Sequence, residues 1–213
     1  MPLTACMLLL SISMAFAQPA IFGEKPDYVQ VIANRTSKIV TALNSSDTVL
    51  KNKVQAILVD QYYHLSYMHN TYDAQVKYIQ AQKKQLTAED KTAIEKLGTE
   101  LDNDLMQLHT SFLAKLNGLC KPVQEEVIKN GKTYGVLPVM LSTYKQMLPQ
   151  LSGVQKKQIQ DWLAEAREHA MDAESSDKKR EWFGKYKERV NKYLSDAGID
   201  MKKAEADWQA HIN

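Results

Sequence analysis

Two long segments of this chain repeat their apolar residues at intervals of three and four, in the order typical of an eleven-residue repeat. Such a repeat places about 3.67 residues in each turn, so its apolar line stays on one face of a nearly straight α-helix. A turn and helix cap from Leu86 to Lys91 separates the two segments. We therefore expect an antiparallel helical hairpin over about 48–117. The apolar lines are Leu50, Val54, Ile57, Gln61, Leu65, Met68, Tyr72, Val76 and Ile79, then Ile94, Leu97, Leu101, Leu105, Leu108, Phe112 and Leu116.

The rest of the chain favours shorter helices, over about 121–212. The whole chain of 213 residues has only 8 Gly and 6 Pro, which are too few turn residues for a sandwich or barrel. The helix that follows Pro122 is expected to end at Asn130-Gly131. A chain of this length usually forms one domain. The predicted fold class is all-α: a long antiparallel helical hairpin packed with several shorter helices in a single bundle-like domain over 18–213. The later helix starts are marked by Pro122, Pro138, Ser152, Ser175 and Asp200.

Charge and motif content exclude several classes of protein. The formal net charge is +2, from 27 basic and 25 acidic residues that are mixed along the chain. A nucleic-acid-binding protein usually carries a basic stripe, and none is visible, so no nucleic-acid partner is expected. The sequence has no G-x-S-x-G, H-E-x-x-H, P-loop or C-x-x-C motif. No cofactor or resident metal is expected, and whether the protein is an enzyme stays open.

The N-terminal segment has the pattern of a secretory signal peptide. An apolar stretch from Ala5 to Phe16 ends in an A-x-A cleavage pattern at Ala17, and it is too short to span a membrane. The segment lacks the usual basic residue before the apolar stretch. We expect cleavage after 1–17 and export to the periplasm or the cell exterior. A lipid anchor on Cys6 is less favoured, because Cys6 begins the apolar stretch, whereas a lipidated cysteine would end it.

The densest polar cluster runs from Glu165 to Asp172. At about 100° per residue on a helix, Glu165, His169 and Asp172 fall on one flank, and Arg167 falls on the other. Glu168 is expected to point to solvent. The three residues on one flank could orient an imidazole as a general base or supply metal ligands. The alternative is a set of hydrogen bonds between helices, with ordinary pairing along one helix.

A second polar cluster interrupts the middle of the hairpin. Gln61 lies within the apolar line, so its amide should be buried and bonded. Tyr62, His69 and Asp73 share one flank of the same helix. With the turn near residue 85, His109 on the second arm lies level with Gln61. The cluster either fixes the register of the two arms or forms the wall of a pocket.

A third cluster is an aromatic stripe formed by Trp182, Tyr186 and Tyr193, with Arg189 beside it and Lys185 at its edge. Flat aromatic faces beside hydrogen-bonding charges suit the binding of sugar rings. Aromatic residues at helical spacing are also common in cores. Trp182 is the best candidate for exposure, because it lies near the start of its helix.

Five phrases in the second half of the sequence resemble a bacterial family called domain of unknown function 3826. The resemblance spans nearly the whole mature chain and implies export, a helical fold and a carbohydrate context, since members look like secreted, sugar-binding proteins of polysaccharide-degrading bacteria. It implies no catalytic residue. The phrases are Tyr134–Pro138, Met147–Leu151, Glu165–Asp172, Trp182–Lys187 and Asn191–Leu194.

Three functions compete at this point. The first is carbohydrate binding by the aromatic stripe, with the flank of His169 as a polar wall. The second is an enzyme acting on glycans. Glu165 and Asp172 lie about 10 Å apart on one helix, beyond the roughly 5–9.5 Å between the carboxylates of glycosidases, so a partner such as Asp73 would be needed. The third is a scaffold that assembles through the hairpin; the oligomeric state is not predicted. We expect a localised function where the shorter helices meet the polar middle of the hairpin.

Overall fold

The computed structural model describes residues 26–81 and 84–212. These residues form eight α-helices and include no strand, which confirms the all-α fold class. The predicted signal peptide at 1–17 lies outside the described residues, and a single domain over 18–213 stays a prediction. The helices are α1 (Pro26–Ala42), α2 (Thr48–Ala81), α3 (Ala88–Asn117), α4 (Pro122–Lys132), α5 (Val136–Met147), α6 (Gly153–Met171), α7 (Ser176–Asp196) and α8 (Met201–Ile212).

Helices α2 and α3 form the predicted hairpin. A capping box starts α3: the Thr87 hydroxyl accepts a hydrogen bond from the Asp90 amide at 3.2 Å, and the Asp90 carboxylate accepts one from the Thr87 amide at 2.9 Å. Beyond Leu65 in α2 and before Phe112 in α3, none of the described residues is fully buried. The distal arms therefore pack mainly on each other. No described helix has the length and hydropathy that crossing a bilayer requires.

The base of the hairpin belongs to the first of two apolar cores. Helices α1 and α4 close over it, and Met171 at the end of α6 completes it. Hydrophobic burial of these side chains fixes the hairpin base against the shorter helices. The buried members are Ile39, Val40, Leu43, Val54, Leu58, Phe112, Leu116, Cys120, Ile128 and Met171.

The second core lies among α5, α6, α7 and α8. Helices α6 and α7 form an antiparallel pair, and each begins with a serine N-cap: Ser152 accepts from the Gln155 amide at 3.2 Å, and Ser175 accepts from the Lys178 amide at 3.1 Å. The pair presents Ile159, Leu163, Ala166, Ala170, Phe183, Tyr186, Val190 and Leu194 to this core.

Helix α4 is longer than the sequence predicts. It continues through Gly131 to Lys132 and does not end at Asn130. The glycine serves close helix packing: a β-carbon at Gly131 would lie 2.8 Å from Cγ1 of Ile39 in α1. The expected end of the helix was therefore wrong, because a residue that often ends helices here permits two helices to touch.

Helix α5 also begins earlier than expected, at Val136 and not at Pro138. Gly135 adopts a left-handed φ of 69° and turns the chain between α4 and α5. Pro138 then lies within the first helical turn, where its missing N–H removes no intrahelical hydrogen bond.

Candidate functional site

A groove of about 800 Å³ lies between the middle of the hairpin and the α6–α7 pair. Helices α2 and α3 supply one wall, while α6, α7 and the loop between them supply the other. This is where the shorter helices meet the polar middle of the hairpin. Six of the residues singled out from the sequence line the groove: His69, Asp73, His109, His169, Asp172 and Trp182.

Asp172 is the residue through which the hairpin is tied to α6. Its Oδ1 accepts a hydrogen bond from Nε2 of Gln61 at 3.3 Å, and its Oδ2 lies 2.5 Å from Nδ1 of His109. Its backbone oxygen lies 2.8 Å from Nε2 of His69, which must donate to it. The side chains of Gln61 and His109 thus meet at one carboxylate, in agreement with their predicted common level. This arrangement holds the register of the two arms and also forms part of a pocket wall.

The position of Asp172 follows from the way α6 ends. Helix α6 ends at Met171, and Asp172 is its C-cap, with backbone angles still in the right-handed helical region. Asp172 therefore lies one turn after Glu168, and both carboxylates reach His109, whereas Glu165 does not line the groove. The buried ammonium of Lys179 donates to the carbonyl oxygens of Ala170 at 2.7 Å and Met171 at 3.3 Å. A cation suits a helix C-terminus, because unpaired carbonyls collect there. Burial lowers the pKa of Lys179 to about 8, against the raising effect of Asp172.

His109 lies between two carboxylates in the groove. Its Nδ1 contacts Asp172, and its Nε2 lies 3.4 Å from Oε2 of Glu168. The hydrogen bonds with Asp172 and then with Glu168 raise the pKa of His109 to about 9. The imidazole is therefore charged at neutral pH and donates from both nitrogens. In this state it has no lone pair with which to act as a general base.

Glu168 does not point to solvent, so that expectation was wrong. Helix α4 covers this flank of α6, and Lys129 of α4 donates to Oε2 of Glu168 at 3.1 Å. Oε1 accepts from Nε and Nη2 of Arg167 at 3.2 and 3.0 Å. Burial by itself raises the pKa of Glu168, but the hydrogen bond from His109 and the nearby cations hold it at about 2. Glu168 is therefore an anion at any ordinary pH.

Arg167, a candidate ligand-binding residue, is buried outside the groove. It makes a bidentate ion pair with Glu126, with Nη1 and Nη2 at 2.6 and 3.0 Å from the carboxylate oxygens. Nη1 also donates to Asn130 at 3.0 Å. With its bonds to Glu168, the guanidinium is fully used, so Arg167 joins α4 to α6 and has no donor left for a ligand.

The aromatic part of the groove is formed by Trp182 and His169. Their rings stack at a centroid distance of 4.4 Å and an angle of 14°. The ammonium of Lys185 lies 4.5 Å from the centroid of the Trp182 ring. Trp182 is half-buried, whereas His169 and Lys185 are exposed. The wall thus offers a broad aromatic surface that is covered by the flexible side chain of Lys185.

The rest of the predicted aromatic stripe lies elsewhere. Tyr186 is buried in the second core, and burial raises its pKa to about 12. The guanidinium of Arg189 lies 4.4 Å from the ring of Trp162 and pairs with Glu165 at 3.6 Å. Glu165 and Arg189 therefore pair on the surface of the α6–α7 pair, Tyr186 lies in the core beneath, and none of the three lines the groove.

Gln61 and Tyr62 lie below the groove, among buried residues, and beside them is a lysine that the sequence analysis missed. Lys132 is 1% exposed, and its ammonium has no hydrogen-bond partner in the described part of the chain. It lies 4.6 Å from the ring centroid of Tyr62 and 4.8 Å from that of Phe112. Burial, assisted by the charge of Lys179, lowers the pKa of Lys132 to about 7. If the helix predicted from the sequence had continued past Asn130, it would have placed Lys132 one turn after Ile128, on the buried face of α4.

The histidines and carboxylates of the groove are not arranged as a metal site. Among residues 26–81 and 84–212, no group of three His, Cys, Asp or Glu side chains could hold a metal ion. The imidazole nitrogens of His109 and Nε2 of His69 are engaged with protein oxygens. The groove lining offers hydrogen-bonding, charged and aromatic groups.

Comparison with known proteins gives a family for this chain. No curated protein matches it. The sequence profile of the family described as "Protein of unknown function (DUF3826)" matches residues 29–213, which includes every helix from α2 to α8 and most of α1. Since the match covers most of the sequence, the chain belongs to this family, DUF3826.

Proposed function

We propose that this protein is exported and binds carbohydrate in the groove between the hairpin and the α6–α7 pair. The observation that carries the proposal is the stacked pair of Trp182 and His169 in a groove rich in hydrogen-bonding groups. A sugar ring has an apolar C–H face and a rim of hydroxyls, so it suits an aromatic surface flanked by polar side chains.

The polar groups of the groove support this proposal because many are already held in place. Hydrogen bonds and ion pairs among three helices fix the side chains of His109, Glu168 and Asp172. Ordering these side chains would therefore add little conformational entropy cost to ligand binding. Lys185 is exposed and rests over Trp182, where a sugar ring could take its place. The carbohydrate context implied by the family resemblance and the leader at 1–17 agree with the same proposal.

The direct test is calorimetric titration of the mature protein with neutral, amine-bearing and acidic oligosaccharides. We expect at least one class to bind, and Trp182→Ala to weaken binding at least about fivefold, if a sugar ring gains as much on Trp182 as the about 1–3 kcal/mol that a nucleobase gains on an aromatic side chain. Trp162→Phe is the matched control, because Trp162 lies on the same helix pair but outside the groove. Absence of binding by every class would overturn the proposal, and so would equal losses in both variants.

One observation favours a second candidate, an enzyme acting on glycans. Glu168 and Asp172 both line the groove and both contact the imidazole of His109. A glycosidase, however, needs a carboxylic acid that is protonated at working pH, and the pKa of Glu168 is about 2. Chromatography of oligosaccharides after long incubation tests this candidate. Cleavage that Asp172→Asn abolishes would establish it, and unchanged profiles would eliminate it.

A further inference from the structure

The groove is acidic, although the protein as a whole is nearly neutral. Its described lining contains six carboxylates, two lysines and the imidazolium of His109. Lys129 and Arg167, which do not line the groove, also pair with Glu168, so the uncompensated negative charge lies on the other carboxylates. The whole chain, in contrast, has a formal net charge of +2. A concave site lined by one sign of charge concentrates ligands of the opposite sign. The six carboxylates belong to Asp73, Asp102, Glu168, Asp172, Glu174 and Glu181.

The cations that line the groove are already engaged. Lys178 donates to Glu181 at 2.9 Å, and Lys185 rests over the ring of Trp182. His109 is shared by two carboxylates. Any ring seated on Trp182 would release Lys185, so a glycan that carries carboxylates, such as a polyuronate, would meet that free ammonium among the six carboxylates of the described lining. Entry of its charge into an acidic groove would still be unfavourable.

Two carboxylates of the groove differ from the rest. Asp73 on α2 and Asp102 on α3 are exposed, one on each arm of the hairpin. Neither has an ion pair or a side-chain hydrogen bond with another described residue. They belong to the hairpin wall, and Trp182 belongs to the wall formed by α7. A ring seated on Trp182 would therefore lie in the same groove as two carboxylates that have no partner among the described residues.

We infer that the groove selects glycans by charge and that its ligand carries protonated amines, as 2-amino-2-deoxy sugars do. The inference rests on the proposed carbohydrate binding and names the class of sugar. The aromatic wall receives the C–H face of the ring, while Asp73 and Asp102 accept hydrogen bonds from the ammonium. Charge-assisted hydrogen bonds of this kind are about twice as strong as neutral ones. N-acetylation removes the charge, and a uronate reverses it, so both modifications weaken binding.

The test compares three oligosaccharides of equal length by calorimetry: an oligomer of glucosamine, its fully N-acetylated form and an oligogalacturonate. The pH is set below the pKa of the sugar amine, and the salt concentration is varied. The variants are Asp73→Asn/Asp102→Asn and, as control, Asp104→Asn, an exposed aspartate of α3 that does not line the groove. We expect the double variant to lose between about twofold and about thirtyfold in affinity for the glucosamine oligomer, because it removes two exposed charge pairs. The control should bind as the wild type does.

The possible results separate this inference from the function on which it rests. Tighter binding of the amine form, lost in the double variant and weakened by salt, supports the inference. Equal or tighter binding of the acetylated or acidic oligomer overturns selection by charge but leaves carbohydrate binding intact. If Asp104→Asn weakens amine binding as much as the double variant, the attraction is a general surface effect and the inference fails. If no oligomer binds, the proposed function and the inference fail together.

Discussion

Two neighbouring regions, one in the wall of the groove and one below it, hold charged groups in opposite ways. In the Asp172 region, which comprises Asp172 and the groups that bind it, the carboxylate and the backbone oxygen are all hydrogen-bonded. In the Lys132 region, which comprises Lys132 and the two rings around it, the ammonium contacts only aromatic faces. Lys179 resembles Lys132 in burial, but it binds two carbonyl oxygens. The pKa falls to about 8 for Lys179 and to about 7 for Lys132.

This contrast in hydrogen bonding identifies the contacts that hold the hairpin to the rest of the fold. A buried charge with all its partners specifies one arrangement, because every alternative leaves a group unbonded. A buried amine without an acceptor costs free energy in its charged form and is tolerated where neighbouring contacts are strong. We therefore expect removal of Asp172 to destabilise the fold and removal of the Lys132 amine to stabilise it.

The largest effect is expected for Asp172→Ala. The substitution leaves the buried amide of Gln61 and the imidazole of His109 without their acceptor, and it should lower the free energy of unfolding by about 4 kcal/mol. Urea denaturation of the mature protein, followed by circular dichroism, measures this change. Asp73→Ala is the control, because it removes an exposed carboxylate and should cost less than about 0.5 kcal/mol. Equal stability of the two variants would show that the Asp172 region does not tie the hairpin.

Replacement of Lys132 by Met should have the next largest effect and the opposite sign. Methionine fills the space among the rings of Tyr62 and Phe112 without a charge, and we expect a gain of about 2 kcal/mol in unfolding free energy at neutral or lower pH. Denaturation in urea again provides the measurement. Destabilisation by a similar amount would mean that the two aromatic contacts more than offset the burial of the amine.

The pH dependence of stability identifies the Lys132 amine as the cause of that gain. The pKa of Lys132 is about 7 in the folded protein and 10.5 ordinarily, so between these values the unfolded chain binds a proton that the folded chain lacks. Raising the pH from 7 to 10.5 therefore favours the folded state, and below pH 7 the penalty is complete. Lys179 contributes in the same direction, which makes the difference between wild type and Lys132→Met the informative quantity. We expect the advantage of the variant to shrink steadily above pH 7.

A smaller effect is expected for Gln61→Leu. Asp172 loses one donor but keeps His109, so the cost should be about 1 kcal/mol, typical of one hydrogen bond. Because the amide of Gln61 is 2% exposed, leucine also gains some burial, and the two changes oppose each other. Unfolding in urea gives the net value. A cost near that of Asp172→Ala would indicate that Gln61, and not His109, is the main contact of Asp172.

The fold was predictable because its signals are local. The eleven-residue repeats fixed the two arms, and Ser152, Ser175 and Asp200 cap helices within one turn of where the sequence placed them. The meeting of Gln61 and His109 also followed from the sequence, since the register of an antiparallel hairpin depends only on the position of its turn. Such features need no knowledge of how distant helices pack.

The site was only partly predictable because it depends on where helices end and on what covers them. The sequence does not reveal that Asp172, the C-cap of α6, meets Gln61 and His109 of the hairpin. Glu168 was assigned to solvent because the wheel of one helix does not reveal that α4 lies against it. Lys132 was missed through the misplaced end of α4, since Gly131 serves close packing there. Tyr186 follows the ordinary tendency of aromatic residues at helical spacing to be buried.

The smallest effect tests what surrounds the Lys132 amine. Tyr62→Phe keeps an aromatic face over the ammonium, so the free energy of unfolding should change by less than about 0.5 kcal/mol. Tyr62→Leu removes the face but keeps an apolar side chain, so the charged amine loses a stabilising contact and the pKa of Lys132 should fall further. NMR titration of labelled lysine measures that pKa in both variants. If phenylalanine shifts the pKa as much as leucine does, the hydroxyl of Tyr62 stabilises the amine. A shift with leucine alone would show that the ring face makes the buried charge tolerable.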